Sequence, residues 1–349
     1  MEILLDYSEE EIKEKFVALG LKKFRAKQVY EWLTTYEEFS NMSNLSKEDR
    51  NLLSENFVAR PVEILDVKKG AEGTMKFLFN LVTTGDLIEG VLLKYKYGYT
   101  LCVSTQVGCR MGCKFCASGL DGLKRNLSAG EILAEVLVVN NYLGGTNTER
   151  LVTNLVLMGS GEPLDNFQNV VKFVRLVESP NSLNISPRKI SLSTSGLADK
   201  IRTLTDLDLK LTLTISLHAS TDEVRKKLMK VANAYSLDEL LASLRYYHEH
   251  TNKRIIFEYI LLPENTRDED VRNLKKISKM FDCHFNFIRY NEVKESGLKS
   301  LTEEQIKAFF DKCKSAGISC TVRRTLGDDI EGACGQLRRR VLAKEKETK

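Results

Sequence analysis

The sequence predicts a mixed α/β fold: a partial (β/α)6 barrel preceded by a small helical domain and a short β extension. Two observations carry this. After Cys116, short runs rich in β-branched residues (NLVLMG, KISLSTS, LKLTLTISLHA, RIIFEYILL, HFNFIRYN, ISCTVRR) alternate about six times with amphipathic helical stretches such as AGEILAEVLVVNNYL and LDELLASLRYYHEH, the pattern of parallel strands wrapped by helices. Polar or glycine-rich loops follow the same ends of these runs: MGSGEP after NLVL, STSG after KISL, SLHAS after LTLTI and RYNE after NFI. In barrels of this kind the active site lies at the C-terminal ends of the strands.

Residues 1–55 read as a helical accessory domain. Ser8 with Glu11 forms a capping box ahead of the apolar periodicity Ile12, Phe16, Val17 and Leu21. The following GLKKFRAKQVYEWL sets Lys22, Lys23, Arg25 and Lys27 beside Tyr30 and Trp32, either a nucleic-acid-facing helix or a solvated one with Trp32 in its own core. Residues 56–95 alternate, carry glycine turns and predict short antiparallel strands. The barrel, with a cysteine-bearing segment after its last strand, spans 96–337, and 338–349 is a basic tail. Further capping boxes at Ser128/Glu131, Ser236/Glu239 and Thr302/Gln305 mark helix starts.

With 349 residues, 42% hydrophobic and 29% charged, the chain has the composition of a soluble globular protein. A formal charge of +4 is compatible with RNA binding without arguing for it. The chain holds no apolar stretch of roughly 18 residues, and its acidic, amphipathic beginning is unlike a targeting peptide, so a cytoplasmic protein without a membrane partner is expected. In that compartment the eight cysteines are expected to be reduced, metal-binding or catalytic rather than a disulfide framework.

CRMGCKFC places Cys109, Cys113 and Cys116 at spacings of four and three. Three readings compete. The thiols could be core residues of one helical face, but Gly108 and Gly112 disfavour a helix and suit a loop wrapped closely round something. A zinc site would need a further His or Cys, and its pairs usually follow C-x2-4-C. An iron–sulfur cluster held at three irons would leave the fourth open to a chelating ligand. The triplet, with Phe115 just before its last cysteine, resembles the motif of the radical S-adenosylmethionine (SAM) enzymes, and so does the barrel topology. That resemblance implies a 4Fe–4S cluster on Cys109, Cys113 and Cys116, with SAM chelating the open iron. Gly161, Glu162, Ser193, Ser216, Leu217, His218 and Asn291, at neighbouring strand ends, are the candidate SAM-binding residues.

Two other cysteines need a reason. Cys102 precedes the triplet in one strand, and Cys334 lies in TLGDDIEGACGQL between Ala333 and Gly335, sterically open as a reactive thiol must be. Either could also be a small buried hydrophobe, the reading kept for Cys283, Cys313 and Cys320. TLCVSTQVGCRMGCKFCASGLDGLKRNL, MGSGEPLDN, SLSTSG, SLHA and GDDIEGACGQL together resemble the RlmN/Cfr family of RNA adenine methyltransferases over nearly the whole chain. The resemblance implies methylation of adenine C2 at adenosine 2503 of 23S rRNA and at adenosine 37 of tRNAs, consuming two SAM per turnover. It further implies Cys334 as the S-methylcysteine intermediate, Cys102 as the resolving thiol that pairs transiently with it, and Glu89 as proton acceptor. An electron donor such as flavodoxin or ferredoxin is implied as well, and a monomer is expected.

The physical logic agrees with these roles. An amidine carbon such as adenine C2 is not nucleophilic, so it cannot attack a sulfonium methyl, and a covalent adduct needs a second thiol for its release. The substrate base must reach a buried site, which favours an unstacked or loop adenine, with Lys22–Lys27, Lys124–Arg125 and Arg338–Arg340 as candidate phosphate contacts. The family often carries Met where this chain has Ser160. The nearest rival is methylation at C8 by the same chemistry, with which antibiotic resistance is associated. A zinc-stabilised RNA-binding protein and a radical activase acting on a protein partner are rivals of other classes.

Overall fold

The computed structural model describes residues 1–292 and 296–323. Three helices open the chain: α1 (Glu9–Ala18), α2 (Arg25–Thr34) and α3 (Lys47–Asn56). The capping box read at Ser8 is present, with Glu11 N–H donating to Ser8 Oγ and Ser8 N–H to the Glu11 carboxylate. Two short strands, β1 (Glu2–Ile3) and β2 (Phe57–Val58), pair in parallel and tie the two ends of this unit together. Leu4, Leu5, Ile12 and Phe16 belong to the same hydrophobic core as the barrel. The contact is close: Asp6 Oδ1 accepts from Gly130 N–H at 2.6 Å, and a Cβ at Gly130 would stand 2.6 Å from the Asp6 nitrogen.

A meander follows, β3 (Val62–Lys69), β4 (Met75–Leu81), β5 (Asp86–Tyr95) and β6 (Gly98–Cys102), each strand antiparallel to the last. A hairpin, β7 (Gln106–Gly108) with β8 (Leu123–Asn126), brackets the cysteine loop, and α4 (Ala129–Tyr142) leads to β9 (Val152–Leu157). The remaining elements are α5 (Phe167–Glu178), β10 (Ile190–Thr194), α6 (Ala198–Asp206), β11 (Thr212–Ser216), α7 (Asp222–Leu228), α8 (Leu237–Thr251), β12 (Ile255–Leu261), α9 (Asp268–Ser278), β13 (Cys283–Arg289), α10 (Glu303–Ser315) and β14 (Cys320–Val322).

One sheet holds ten of these strands, in the order β14-β13-β12-β11-β10-β9-β6-β5-β4-β3. From β6 through β14 the neighbours are parallel, and six helical crossovers connect them, matching the six alternations of the sequence. The antiparallel meander extends one edge. Capping boxes at Ser128, Ser236 and Thr302 start α4, α8 and α10 as predicted. The sequence reading missed α7, which is short, heavily charged and capped by Thr221. Among the described residues no helix is long and apolar enough to cross a membrane.

Strand register fixes what faces the interior of the half-barrel. Lys76 stands opposite Val91, Val91 opposite Cys102, Cys102 opposite Val156 and Val156 opposite Ser191. Because side chains alternate across a strand, these residues form one row on one face. Val91, Leu93 and Cys102 pack together there, with Tyr95, Val156 and Met158 against them, apart from the main core on the sheet's other face.

Candidate active site

The cysteine loop is shaped by backbone. Gly108 has φ +80°, and a Cβ there would stand 2.0 Å from the Gly122 carbonyl oxygen, which also accepts from Cys109 N–H at 2.9 Å. Gly112 has φ +59° and lies against the Lys230 side chain. Lys114 N–H donates to the Leu228 carbonyl at 2.9 Å, so the end of α7 pins the loop from below, and Cys116 N–H closes a turn onto the Cys113 carbonyl. Cys109, Cys113 and Cys116 therefore leave one tight loop and do not share a helical face. Burial pushes the Cys109 thiol up to about 12 and the Cys113 thiol well above its ordinary value. Cys116 adds to both effects, which places the thiols within each other's electrostatic reach.

Side chains staple this loop to the one after β9. Gln106 donates to Asn126 and Asp165 and accepts from Glu162 N–H at 2.8 Å. Arg110 pairs with Asp165, and Asn166 donates to the Thr105 and Leu127 carbonyls at 2.8 and 2.7 Å. Gly161, φ +115°, has no room for a Cβ beside Thr105 and Gln106. Glu162 is buried, and its two carboxylate oxygens accept from Leu164 N–H and Ser195 N–H, bridging the loops after β9 and β10, while burial raises its pKa. Its sequence role as a bare carboxylate is thus shared with a structural one. Ser160 donates its N–H to Ser104 Oγ, yet Ser160 Oγ is buried with no partner, as is the Ser118 hydroxyl.

The other candidates gather at neighbouring strand ends. Ser193 lies opposite Thr214, and Ser216 ends β11 opposite Glu258. Leu217 is fully buried, and its carbonyl accepts from Arg225 Nε at 3.3 Å. His218 has φ +55°, and its ring meets Phe115 edge to face with centroids 4.6 Å apart, tying it to the cysteine loop. Burial, then the Arg225 charge, lowers its pKa to about 3, so the ring is neutral. Ile260 N–H donates to Nδ1 at 3.0 Å, so the ring proton sits on Nε2, a donor. Asn291, two residues past the end of β13, is exposed, unlike the other candidates. Cys334 lies outside the described residues, as do Arg338–Arg340.

On the inner face, Glu89 is 5% exposed and its carboxylate lies 3.2 Å from the Lys76 ammonium. Ser104 Oγ donates to the Glu89 carbonyl at 2.8 Å, and Ser104 N–H donates to Glu135, a wholly buried glutamate on α4 whose pKa burial drives far up. The sequence reading missed Lys76, Ser104, Glu135, Arg225, Glu258 and Asn265. Lys76 and Glu258 had a signal, a charge inside an otherwise apolar strand. Asn265 had none: it clamps the His218 and Ile260 carbonyls from a turn 47 residues beyond His218. Arg225 is fully buried on α7, bonded to the Leu217 and Ser195 carbonyls, with Nη1 unpartnered.

The donor set fits an iron–sulfur cluster better than a single ion. Among the described residues no three His, Cys, Asp or Glu side chains are gathered closely enough for one metal ion. Three thiols spread round a glycine-shaped cradle suit a larger group, and the unpartnered hydroxyls beside it suit a polar ligand.

This cradle at the C-terminal mouth of an open parallel half-barrel defines a class, and the comparisons bear it out: the radical SAM superfamily profile matches residues 103–277. The profile of the ribosomal RNA large subunit methyltransferase N-terminal domain matches residues 3–59. A crystal structure of a radical SAM methyltransferase from Sphaerobacter thermophilus superposes with a TM-score of 0.90 at 34% identity, covering 96% of this chain and 99% of that one. The probable dual-specificity RNA methyltransferase RlmN of Clostridium perfringens (strain SM101) is 49% identical over 343 residues, 97% of each chain. That of Clostridium botulinum (strain Langeland) is 46% identical over 350 residues, 99% of this chain and all of the relative. The chain belongs to the RlmN family of the radical SAM superfamily and is a radical SAM-dependent RNA methyltransferase. Membership implies a 4Fe–4S cluster and SAM as cofactors.

Proposed function

We propose that the protein methylates C2 of adenine at adenosine 2503 of 23S rRNA, in the peptidyl transferase centre, and at adenosine 37 of tRNAs. Cys109, Cys113 and Cys116 hold the cluster, and Gly161, Glu162, Ser193, Ser216, Leu217, His218 and Asn291 hold SAM. When bound, the cluster and SAM supply a deoxyadenosyl radical. Residues 1–55 serve as the RNA-binding accessory domain, and the protein acts as a monomer in the cytoplasm, reduced by a flavodoxin- or ferredoxin-like carrier.

Cys334 first takes a methyl group from one SAM by thiolate displacement. That S-methyl carbon, activated by the radical that the cluster and a second SAM would supply when bound, would add to adenine C2 and join protein to RNA, the surplus electron passing to the oxidised carrier. Glu89 takes the C2 proton, and the electron pair of that bond stays with the ring. Cys102 thiolate then attacks the Cys334 sulfur; the S–CH2 bond breaks with its pair on carbon, which is protonated to the product methyl. The two sulfurs end as a disulfide, which the carrier reduces.

The observation that supports this reading best is the shared face of the sheet: Cys102 stands opposite Val91, and Glu89 lies two residues before Val91 on the same side. A thiol and a carboxylate are thereby offered to one space beside the cysteine loop. Expression in cells lacking their own enzyme, followed by mass spectrometry of the ribosomal RNA, tests it. C2-methyladenine is expected, and C8-methyladenine would overturn the assignment.

A further inference from the structure

Lys76 is the second residue of β4, whose other face carries Phe77, Phe79 and Leu81 into the main core. It has no exposed surface. Its ammonium stands 3.2 Å from the carboxylate of Glu89, which is itself 5% exposed. Register puts Lys76 opposite Val91 and Val91 opposite Cys102, so lysine, glutamate and thiol face the same interior.

A buried ion pair is a poor way to stabilise a fold, because desolvating both charges offsets their attraction, and apolar residues of similar volume do as well or better. The neighbouring inner-face residues Val91 and Leu93 show that this surface accepts apolar side chains. The pair is therefore better explained by what a fixed carboxylate does there. A carboxylate left without a partner could turn among rotamers, whereas an ammonium 3.2 Å away fixes where it points.

We infer that Lys76 is a positioning residue for Glu89: its ammonium, 3.2 Å away, keeps the carboxylate aimed at the inner face, so that Glu89 is placed to take the proton from the substrate carbon. This rests on the reading of Glu89 as the proton acceptor.

The test compares Glu89→Gln, Lys76→Met, Lys76→Arg and the Lys76→Met/Glu89→Gln double variant as reconstituted holoenzymes, each given SAM, reductant and a ribosomal RNA fragment. Covalent protein–RNA adduct is read on denaturing gels, and S-methylation of Cys334 by mass spectrometry before RNA is added. Both single neutral variants are expected to methylate Cys334 normally, to accumulate adduct, and to release methylated RNA about 100-fold more slowly, the scale of a lost general base. Lys76→Arg should regain most of the release rate. The double variant removes both charges, leaves no lone buried ion, and should accumulate no more adduct than Glu89→Gln alone, the coupling expected of one functional unit. Adduct in Glu89→Gln with wild-type release in Lys76→Met would overturn the inference and leave the base assignment standing. Absence of adduct in Glu89→Gln would overturn the base assignment and the inference with it. Should Lys76→Met fail to fold, the double variant decides: adduct clearly beyond that of Glu89→Gln alone would overturn the coupling.

Discussion

The loop that carries Cys109, Cys113 and Cys116 is held by backbone, whereas the face that carries Cys102 and Glu89 is held by charge. Around the loop, glycines at positive φ, main-chain hydrogen bonds and a neutral histidine do the positioning. Across the barrel, a lysine and a glutamate are buried side by side. The loop serves a cofactor whose chemistry is the same in every turnover, so rigid geometry suffices. On the proposed reading the inner face serves proton transfer, for which a buried lysine fixes where the carboxylate points.

If that contrast is right, the two regions should break differently. The largest effect is expected from Gly108→Ala, where the new methyl would collide with the Gly122 carbonyl. Iron and sulfide content per chain should fall by about tenfold, because a residue forced to positive φ and into backbone displaces the loop. Gly122→Ala meets nothing within 4 Å and suffers only the strain of φ +71°, so it should keep its iron and lose about 1 kcal/mol in denaturant unfolding. Equal iron loss in both would show that the loop responds to strain in general and that the Gly108 contact has no special place.

His218 gives a smaller, pH-dependent effect. Its folded pKa, about 3, lies below the ordinary value of 6.5, so between these the unfolded chain binds the extra proton. Its contribution to stability is present above about pH 6.5 and is lost as pH falls toward 3. Glu162 and Glu258 are shifted upward by burial and act in the opposite sense, gaining relative stability as they protonate. Comparing urea midpoints of the apoprotein and its His218→Phe variant at pH 7.5 and 5 isolates the histidine. The wild type should lose more on acidification than the variant, and equal losses would mean that the ring protonates freely in the fold.

The smallest effect belongs to the helical unit. Phe24 is 55% exposed between Lys22, Lys23, Arg25 and Lys27, whereas Tyr30 is buried and Trp32 bonds to Asn44. Arg25 is engaged with Asp49 and Asn44, and Arg125 with Asp86 and Glu131, so both are spent inside the protein. Phe24→Ala should weaken RNA binding by about 1 kcal/mol, the scale of one stacked base, and leave Cys334 methylation unchanged. Unaltered RNA affinity would remove this face from the interface.

How much of this was legible in sequence follows the same division. The cysteine loop, the glycines round it and the Gly-Glu-Pro turn are local, so spacing alone disclosed them, and four capping boxes marked helix starts where the structure has them. The Lys76–Glu89 pair was not legible as a pair, because strand register brings together residues 13 apart in the chain that share no motif. Asn265, Glu135 and Arg225 were invisible for the same reason: each acts on a backbone group 30 to 47 residues away in the chain. Lys124 and Arg125 looked like phosphate contacts because a sequence shows charges without their partners.

The most direct test of the account is mass analysis of the protein as purified, with peptide mapping of Cys334. A methyl group on that sulfur, with no methylated peptide at that position in Cys334→Ala, is the predicted result. An unmodified Cys334 in protein that methylates RNA would contradict the account.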